Sequence, residues 1–314
     1  MYINVVSHYL PKTVVDNDYF GELNGLTADW IVERTGIRER RKASQEENTN
    51  TMAIKAVEKG VEQLPFPVES IDLIVGASYT PHDTIVTLAH AVQHYLQIDD
   101  IPVTSVSSAC SSLLNAVEVV EGYFALNKAK HALVVLAEHN TLYNNERDTV
   151  SGHLWGDGAA ALFISKEKFQ ETDLKIKDIK TGGAATAGRG TEGVVLKPFK
   201  EGIAMPYGRD VFINACEYMP KVTKQVLDRN NLGLDQLSYL IPHQANLRIT
   251  KNVANRLKLA PNKALSNIEY LGNTGCAGCA IALSEHKDRF KKGDNIVVVV
   301  FGGGYSYGAM LLEN

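Results

Sequence analysis

The second half of this 314-residue chain repeats the order of the first, and that repeat restricts the fold more than composition does. A helical pattern over Thr51–Gln63 precedes the apolar run Ile71–Ala77, and a helical pattern over Asp210–Asn230 precedes Leu237–Ile241. Further on, a helix beginning near Cys110 leads to a strand at Ala132–Glu138. In the second half, Leu271–Ser284 opens a helix that leads to a strand at Asn295–Phe301. Placing Leu133 on Ile296 sets the offset at 163 and puts Cys110 opposite Asn273. Runs such as Leu133-Val-Val-Leu136 are apolar at consecutive positions, as strands of a parallel sheet covered by helices on both faces are. The expectation is an α/β fold of two duplicated halves, residues 1–165 and 166–314. Met1–Val6 reads as a first strand, Thr87–Leu96 as a helix, and Ser165–Arg209 as loops and short strands.

The length exceeds what one core usually serves, which agrees with two halves. A formal net charge of −4 gives no sign of a nucleic-acid surface, and no run approaches the apolar length of a membrane span. Four cysteines are too few for a disulfide scaffold, and the N-terminus lacks the basic region and apolar core of a secretion signal. A cytoplasmic protein with free thiols is expected.

Chemistry is expected where strands end. Val103–Val106 runs towards an amphipathic helix and Cys110 falls at the junction, where unpaired N–H groups and the helix dipole favour a thiolate. Alone, a cysteine between Ala and Ser is more often a small buried hydrophobe. His243 follows the strand equivalent to Ile71–Val75, and Asn273 starts the helix equivalent to that of Cys110. Two halves packed about a pseudo-twofold axis bring such strand ends together, so Cys110 reads as a nucleophile with His243 and Asn273 as donors or bases. Phe301-Gly-Gly-Gly-Tyr305 ends the last strand, where an N–H could help form an oxyanion hole or the glycines could simply make a bulge. The order Cys, His, Asn also occurs in papain-like proteases. The cysteine here lies far from the N-terminus and lacks their flanking signature, and the duplication is foreign to them. Cys276-Ala-Gly-Cys279 has no second pair or nearby His and reads as helix packing; His90 and His94 read as surface or interface groups. No metal or nucleotide-fold cofactor is indicated.

Seven segments together resemble the β-ketoacyl-acyl carrier protein synthase III family, of the thiolase fold. They are Asp29-Trp-Ile-Val-Glu-Arg-Thr-Gly-Ile-Arg-Glu-Arg40, Ser108-Ala-Cys110, Gly156-Asp-Gly-Ala-Ala160, Gly208-Arg-Asp-Val-Phe212, Pro242-His-Gln-Ala-Asn-Leu-Arg248, Gly272-Asn-Thr274 and Phe301-Gly-Gly-Gly304. The resemblance spans nearly the whole chain. It implies a five-layered αβαβα fold, a homodimer, and a catalytic triad of Cys110, His243 and Asn273. It further implies an acyl-cysteine formed from acyl-CoA, an oxyanion held by the N–H groups of Cys110 and Gly303, and decarboxylative attack by malonate carried on acyl carrier protein. By the same resemblance Trp30, Arg34, Arg147, Gly208, Phe212 and Asn246 bind CoA and its pantetheine arm, and Arg248 contacts the carrier protein. Gln244 and Asn246 order their loop. No cofactor is implied beyond these substrates.

The chain departs from its relatives around the acyl group. Asn273-Thr-Gly-Cys-Ala-Gly278 replaces the usual Asn-Thr-Ser-Ala-Ala-Ser, Ile213 stands where a basic carrier contact is common, and the arginine before Gly156 is displaced, with Arg147 nearest. Pro81–Thr87 lacks the aromatic-proline pair with which a dimer partner closes the acyl pocket, so Thr84 or Ile85 is expected to leave a longer or reshaped pocket. A specialised condensing or acyl-transferring enzyme of secondary metabolism is the alternative within this fold, and a non-catalytic partner subunit the alternative from another class.

Overall fold

A computed structural model describes residues 1–198, 200 and 202–314. The first half begins with β1 (Tyr2–Tyr9). A two-stranded ribbon of β2 (Thr13–Asp16) and β3 (Glu39–Lys42) brackets helices α1 (Asp18–Asn24) and α2 (Ala28–Thr35). Next come α3 (Thr49–Val61), β4 (Leu73–Ala77), α4 (Leu88–Leu96), β5 (Val103–Val106) and α5 (Ser112–Ala125). This half closes with β6 (His131–Glu138), the short α6 (Asn140–Tyr143) and β7 (Gly158–Ser165). In the second half β8 (Leu174–Gly183) precedes the hairpin strands β9 (Val195–Lys197) and β10 (Gly202–Ala204), the long α7 (Gly208–Arg229) and β11 (Leu237–Pro242). The last elements are α8 (Leu247–Arg256), α9 (Ile268–Leu271), α10 (Gly278–His286), β12 (Asn295–Gly302) and β13 (Ser306–Glu313).

Among the described residues nine strands form one sheet, in the order β11-β12-β13-β8-β1-β7-β6-β4-β5. Its two sides repeat one pattern. β4 runs parallel to β6, β6 antiparallel to β7, and β7 antiparallel to β1; β11, β12, β13 and β8 do the same in turn. The counterpart of β5 has shrunk to a single bridge between Leu240 and Ala264.

Burial resolves five layers. α3 and α4 cover one outer face through Met52, Val57, Leu88 and Val92, and α7 and α8 cover the other through Met219, Val222, Val226 and Val253. Between the two half-sheets lie α5 and α10 with the inward side chains of both. α5 is built for that place, since Leu113, Ala116, Val117, Val120 and Phe124 recur at helical spacing and all are buried. The halves also exchange helices: α10 packs on β1 and β7, and α5 on β8 and β13.

Two sequence expectations need correction. Ala132, Val134 and Leu136 face the central layer with Ile296, Val298 and Val300, whereas Leu133 and Val135 face outward as Val297 and Val299 do. The repeat therefore has an offset of 164, because 163 would turn every side chain to the wrong face. Cys110 is thus opposite Thr274, beside Asn273. The segment 165–209, expected as loops and short strands, contains the ten-residue β8 that joins the halves through Tyr2–Lys175 and Ile3–Leu174 pairing. Among the described residues no helix is long and apolar enough to cross a membrane.

Candidate active site

Cys110 occupies a sharp elbow between β5 and α5 rather than the helix start itself. Ala109 before it takes the left-handed conformation at φ 48°, a strained choice for a residue with a Cβ, and the surroundings hold it there. The Ser306 hydroxyl donates to the Ser108 carbonyl at 3.1 Å and bonds Ser111 Oγ at 2.9 Å, while Ser112 Oγ donates to the Ala109 carbonyl and accepts from the Ser108 N–H. Gly302 makes the approach possible. A Cβ there would stand 2.9 Å from the Cys110 nitrogen and 3.2 Å from its Cβ.

His243 leaves the end of β11 with its N–H on the Val299 carbonyl at 2.8 Å. Its ring Nδ1 is enclosed without a hydrogen-bond partner. Gln244 is buried behind it, with its amide on the Pro242 and Leu265 carbonyls and its Oε1 on the Asn267 N–H. Asn246 caps α8 and donates to the Arg34 carbonyl at 3.1 Å, tying α8 to α2. Asn273 follows the left-handed Gly272; its N–H meets the Leu154 carbonyl and its carbonyl accepts from the Gly156 N–H and the Asn140 amide. Its side-chain Oδ1 accepts from the Gly275 N–H at 3.0 Å, so the amide Nδ2 is the end left to donate.

These side chains meet in one cavity of about 140 Å³, where Cys110, His243, Asn273 and Gly303 all contribute to the wall. The rest of the lining is apolar and comes chiefly from Leu196, Ile203, Met205, Met219, Ile249 and Phe301. Burial and the nearby Glu138 charge push the Cys110 thiol up to about 12. Burial alone lowers His243 to about 4. Burial thus opposes the thiolate that the strand–helix junction was expected to favour, and it favours the neutral form of both side chains.

Other expected residues do not line this cavity. Trp30 packs under the exposed Arg34, 4.3 Å from guanidinium to ring centre, and edge-on to His153. Arg248 is exposed and lies 6.0 Å from the Phe212 ring, and Gly208 opens α7. Arg147 is exposed on the loop after α6, which Glu146 ties to Tyr19 and Lys42. Thr84 and Ile85 are exposed, Ile85 to 83 %, and do not line this chain's cavity. Cys276 and Cys279 are buried in α10 and the turn before it, His90 and His94 are exposed on α4, and among the described residues no group of His, Cys, Asp or Glu could hold a metal.

Three residues in or beside the cavity were not singled out from sequence. Tyr79 lines it from the end of β4. Glu138 is buried at the end of β6, held by the Ser78 and Thr80 hydroxyls and the Tyr79 and Thr80 N–H groups. Asn140 accepts from the Tyr79 hydroxyl at 2.9 Å and donates to the Gly156 and Asn273 carbonyls.

A thiol on a strained elbow that shares one cavity with an imidazole and an amide, at the seam of a duplicated sheet, fits an acyl-transferring condensing enzyme of the thiolase fold. The models of the family described as 3-Oxoacyl-[acyl-carrier-protein (ACP)] synthase III match at residues 105–184 and, for its C-terminal part, 227–314. The chain is 34 % identical to the beta-ketoacyl-[acyl-carrier-protein] synthase III of Clostridium perfringens, covering 97 % of this chain and 96 % of that one, and 33 % identical to that of Clostridioides difficile, covering 98 % and 96 %. The crystal structure of 3-oxoacyl-[acyl-carrier-protein] synthase III from Aquifex aeolicus superposes with a TM-score of 0.93 at 31 % identity, over 100 % of this chain and 99 % of that one. The chain belongs to the 3-oxoacyl-acyl carrier protein synthase III family.

Proposed function

We propose that this chain condenses an acyl-CoA with malonyl-acyl carrier protein, and that Cys110, His243 and Asn273 carry the reaction. Cys110 sulfur attacks the thioester carbonyl, the carbon–sulfur bond to CoA breaks, and the thiol proton leaves with the CoA sulfur. The N–H groups of Cys110 and Gly303 hold the oxyanion. Malonyl thioester then binds with its carbonyl oxygen between His243 Nε2 and Asn273 Nδ2. Loss of CO2 leaves an enolate on that oxygen, whose carbon attacks the acyl-cysteine and releases Cys110 to be protonated again. The single observation that carries this reading is the cavity shared by the thiol, the imidazole and an amide whose Oδ1 is already occupied. Trp30, Arg34, Arg147, Gly208, Phe212 and Asn246 would hold the CoA arm at the mouth, and the exposed Arg248 would meet the acidic carrier protein.

A second copy of the chain is proposed to pair along β5, the open edge of the sheet, and to cover the exposed Ile85 and Val86. Thr84 and Ile85 would then reach the partner's acyl group rather than their own. Light scattering that gives a monomer would remove this part. The chemistry is tested by intact mass after incubation with acyl-CoAs: one acyl adduct is expected, absent in Cys110→Ala. His243→Ala and Asn273→Ala should keep the adduct and lose CO2 release from malonyl-carrier protein. An adduct that survives Cys110→Ala, or variants that still release CO2 at the wild-type rate, would refute the assignment.

A further inference from the structure

The space beside Cys110 is closed on the β4 side by one side chain. Tyr79 lines the cavity together with Cys110, and its hydroxyl donates to Asn140 Oδ1 at 2.9 Å. It fits only because residue 275 has no side chain. A Cβ on Gly275 would overlap the Tyr79 hydroxyl and stand 2.8 Å from Tyr79 Cε1 and from Glu138 Cγ, and the backbone there is left-handed at φ 59°. Asn140 in turn holds the Asn273 carbonyl, so the ring is fixed to the catalytic loop rather than free to swing aside.

We propose that Tyr79, seated against Gly275, is a specificity-determining residue that restricts the acyl group on Cys110 to short chains. The inference rests on the acyl-cysteine reading given above. A cavity of about 140 Å³ is well below the roughly 300–1,000 Å³ of pockets that bury drug-sized ligands, and it must also take the end of a carrier arm. Within the chain Tyr79 is held by its bond to Asn140 and by its seat against Gly275. Ring volume, not the hydroxyl, sets the limit.

The test exposes the full-length protein to acetyl-, butyryl-, hexanoyl- and octanoyl-CoA separately and reads the rate of adduct formation by intact mass. The wild type should form the acetyl adduct and fall by about tenfold or more by hexanoyl, the scale of discrimination that an overfilled apolar pocket gives. Tyr79→Ser should recover the hexanoyl and octanoyl adducts by a similar factor, while Tyr79→Phe should keep the wild-type order of chain lengths. A wild type that takes octanoyl as readily as acetyl overturns the proposal, as does a folded Tyr79→Ser with an unchanged profile. If Tyr79→Ser loses its circular-dichroism signal, the wild-type and Tyr79→Phe profiles decide. Absence of any adduct on the wild type overturns the acyl-cysteine reading itself, a result distinct from adducts of the wrong length.

Discussion

Glu138→Gln should stabilise the protein at alkaline pH and leave acid stability little changed. The carboxylate is fully enclosed and accepts from the Ser78 hydroxyl at 3.1 Å, the Thr80 N–H at 3.1 Å, the Tyr79 N–H at 3.3 Å and the Thr80 hydroxyl. Burial outweighs those bonds and raises its pKa from 4.5 to about 7. Its titrating neighbours Cys110, Cys276 and Tyr79 are themselves pushed upward, so they remain neutral near pH 7 and do not titrate in this window. Between the two values the folded chain keeps a proton that the unfolded chain has released, so stability falls as pH rises through this window. The loss is about 1.4 kcal/mol per pH unit, or about 3 kcal/mol in all, and is complete above about pH 7. Gln carries no charge, and its oxygen can still accept from Ser78 and Thr80. Urea unfolding of both proteins from about pH 4.5 to about pH 8 isolates the effect, because other groups, His243 included, cancel in the difference. The variant should gain about 3 kcal/mol on the wild type across that range. A flat difference, or a gain on the acid side, would refute the reasoning.

Alkylation of Cys110 by iodoacetamide should climb about tenfold per pH unit from about pH 7 to about pH 10, because a thiol near 12 supplies thiolate in proportion to hydroxide. A plateau near neutrality would show a stabilised thiolate instead. Gly302→Ala should slow acylation on the order of 100-fold with the fold intact, since the new Cβ presses on the Cys110 nitrogen and moves the nucleophile; near wild-type adduct formation would contradict this. Arg40→Lys should cost about 1–3 kcal/mol in urea unfolding, because one ammonium cannot replace the guanidinium that reaches the Val15 and His153 carbonyls and Asn17 Oδ1; an unchanged midpoint would exclude that bracing role.

What the sequence disclosed and what it hid follow from how each signal is carried. β4, β6, β11 and β12 are covered on both faces, so their residues are apolar in succession and the repeat could be read without partners in view. β8 is masked because Leu174, Ile176 and Ile179 are separated by Lys175, Lys177 and Asp178, and Lys177, left unpaired opposite Leu311 and Leu312 of β13, breaks the alternation that would mark a half-buried strand. The convergence of Cys110, His243 and Asn273 was legible for a topological reason: equivalent strand ends in duplicated halves must meet at the seam, whatever lies between them. Tyr79 and Glu138 had no such mark. Each is seated against Gly275, 196 positions beyond Tyr79 and in the other half, and a missing side chain leaves no trace in a hydropathy pattern. Thr84 and Ile85 lie on the loop that differs from the relatives, yet they are exposed, and it is Tyr79, just past the end of β4, that lines this chain's own cavity. The limit proposed for the acyl group therefore rests on a pair across the seam, Tyr79 that fills the space and Gly275 that vacates it.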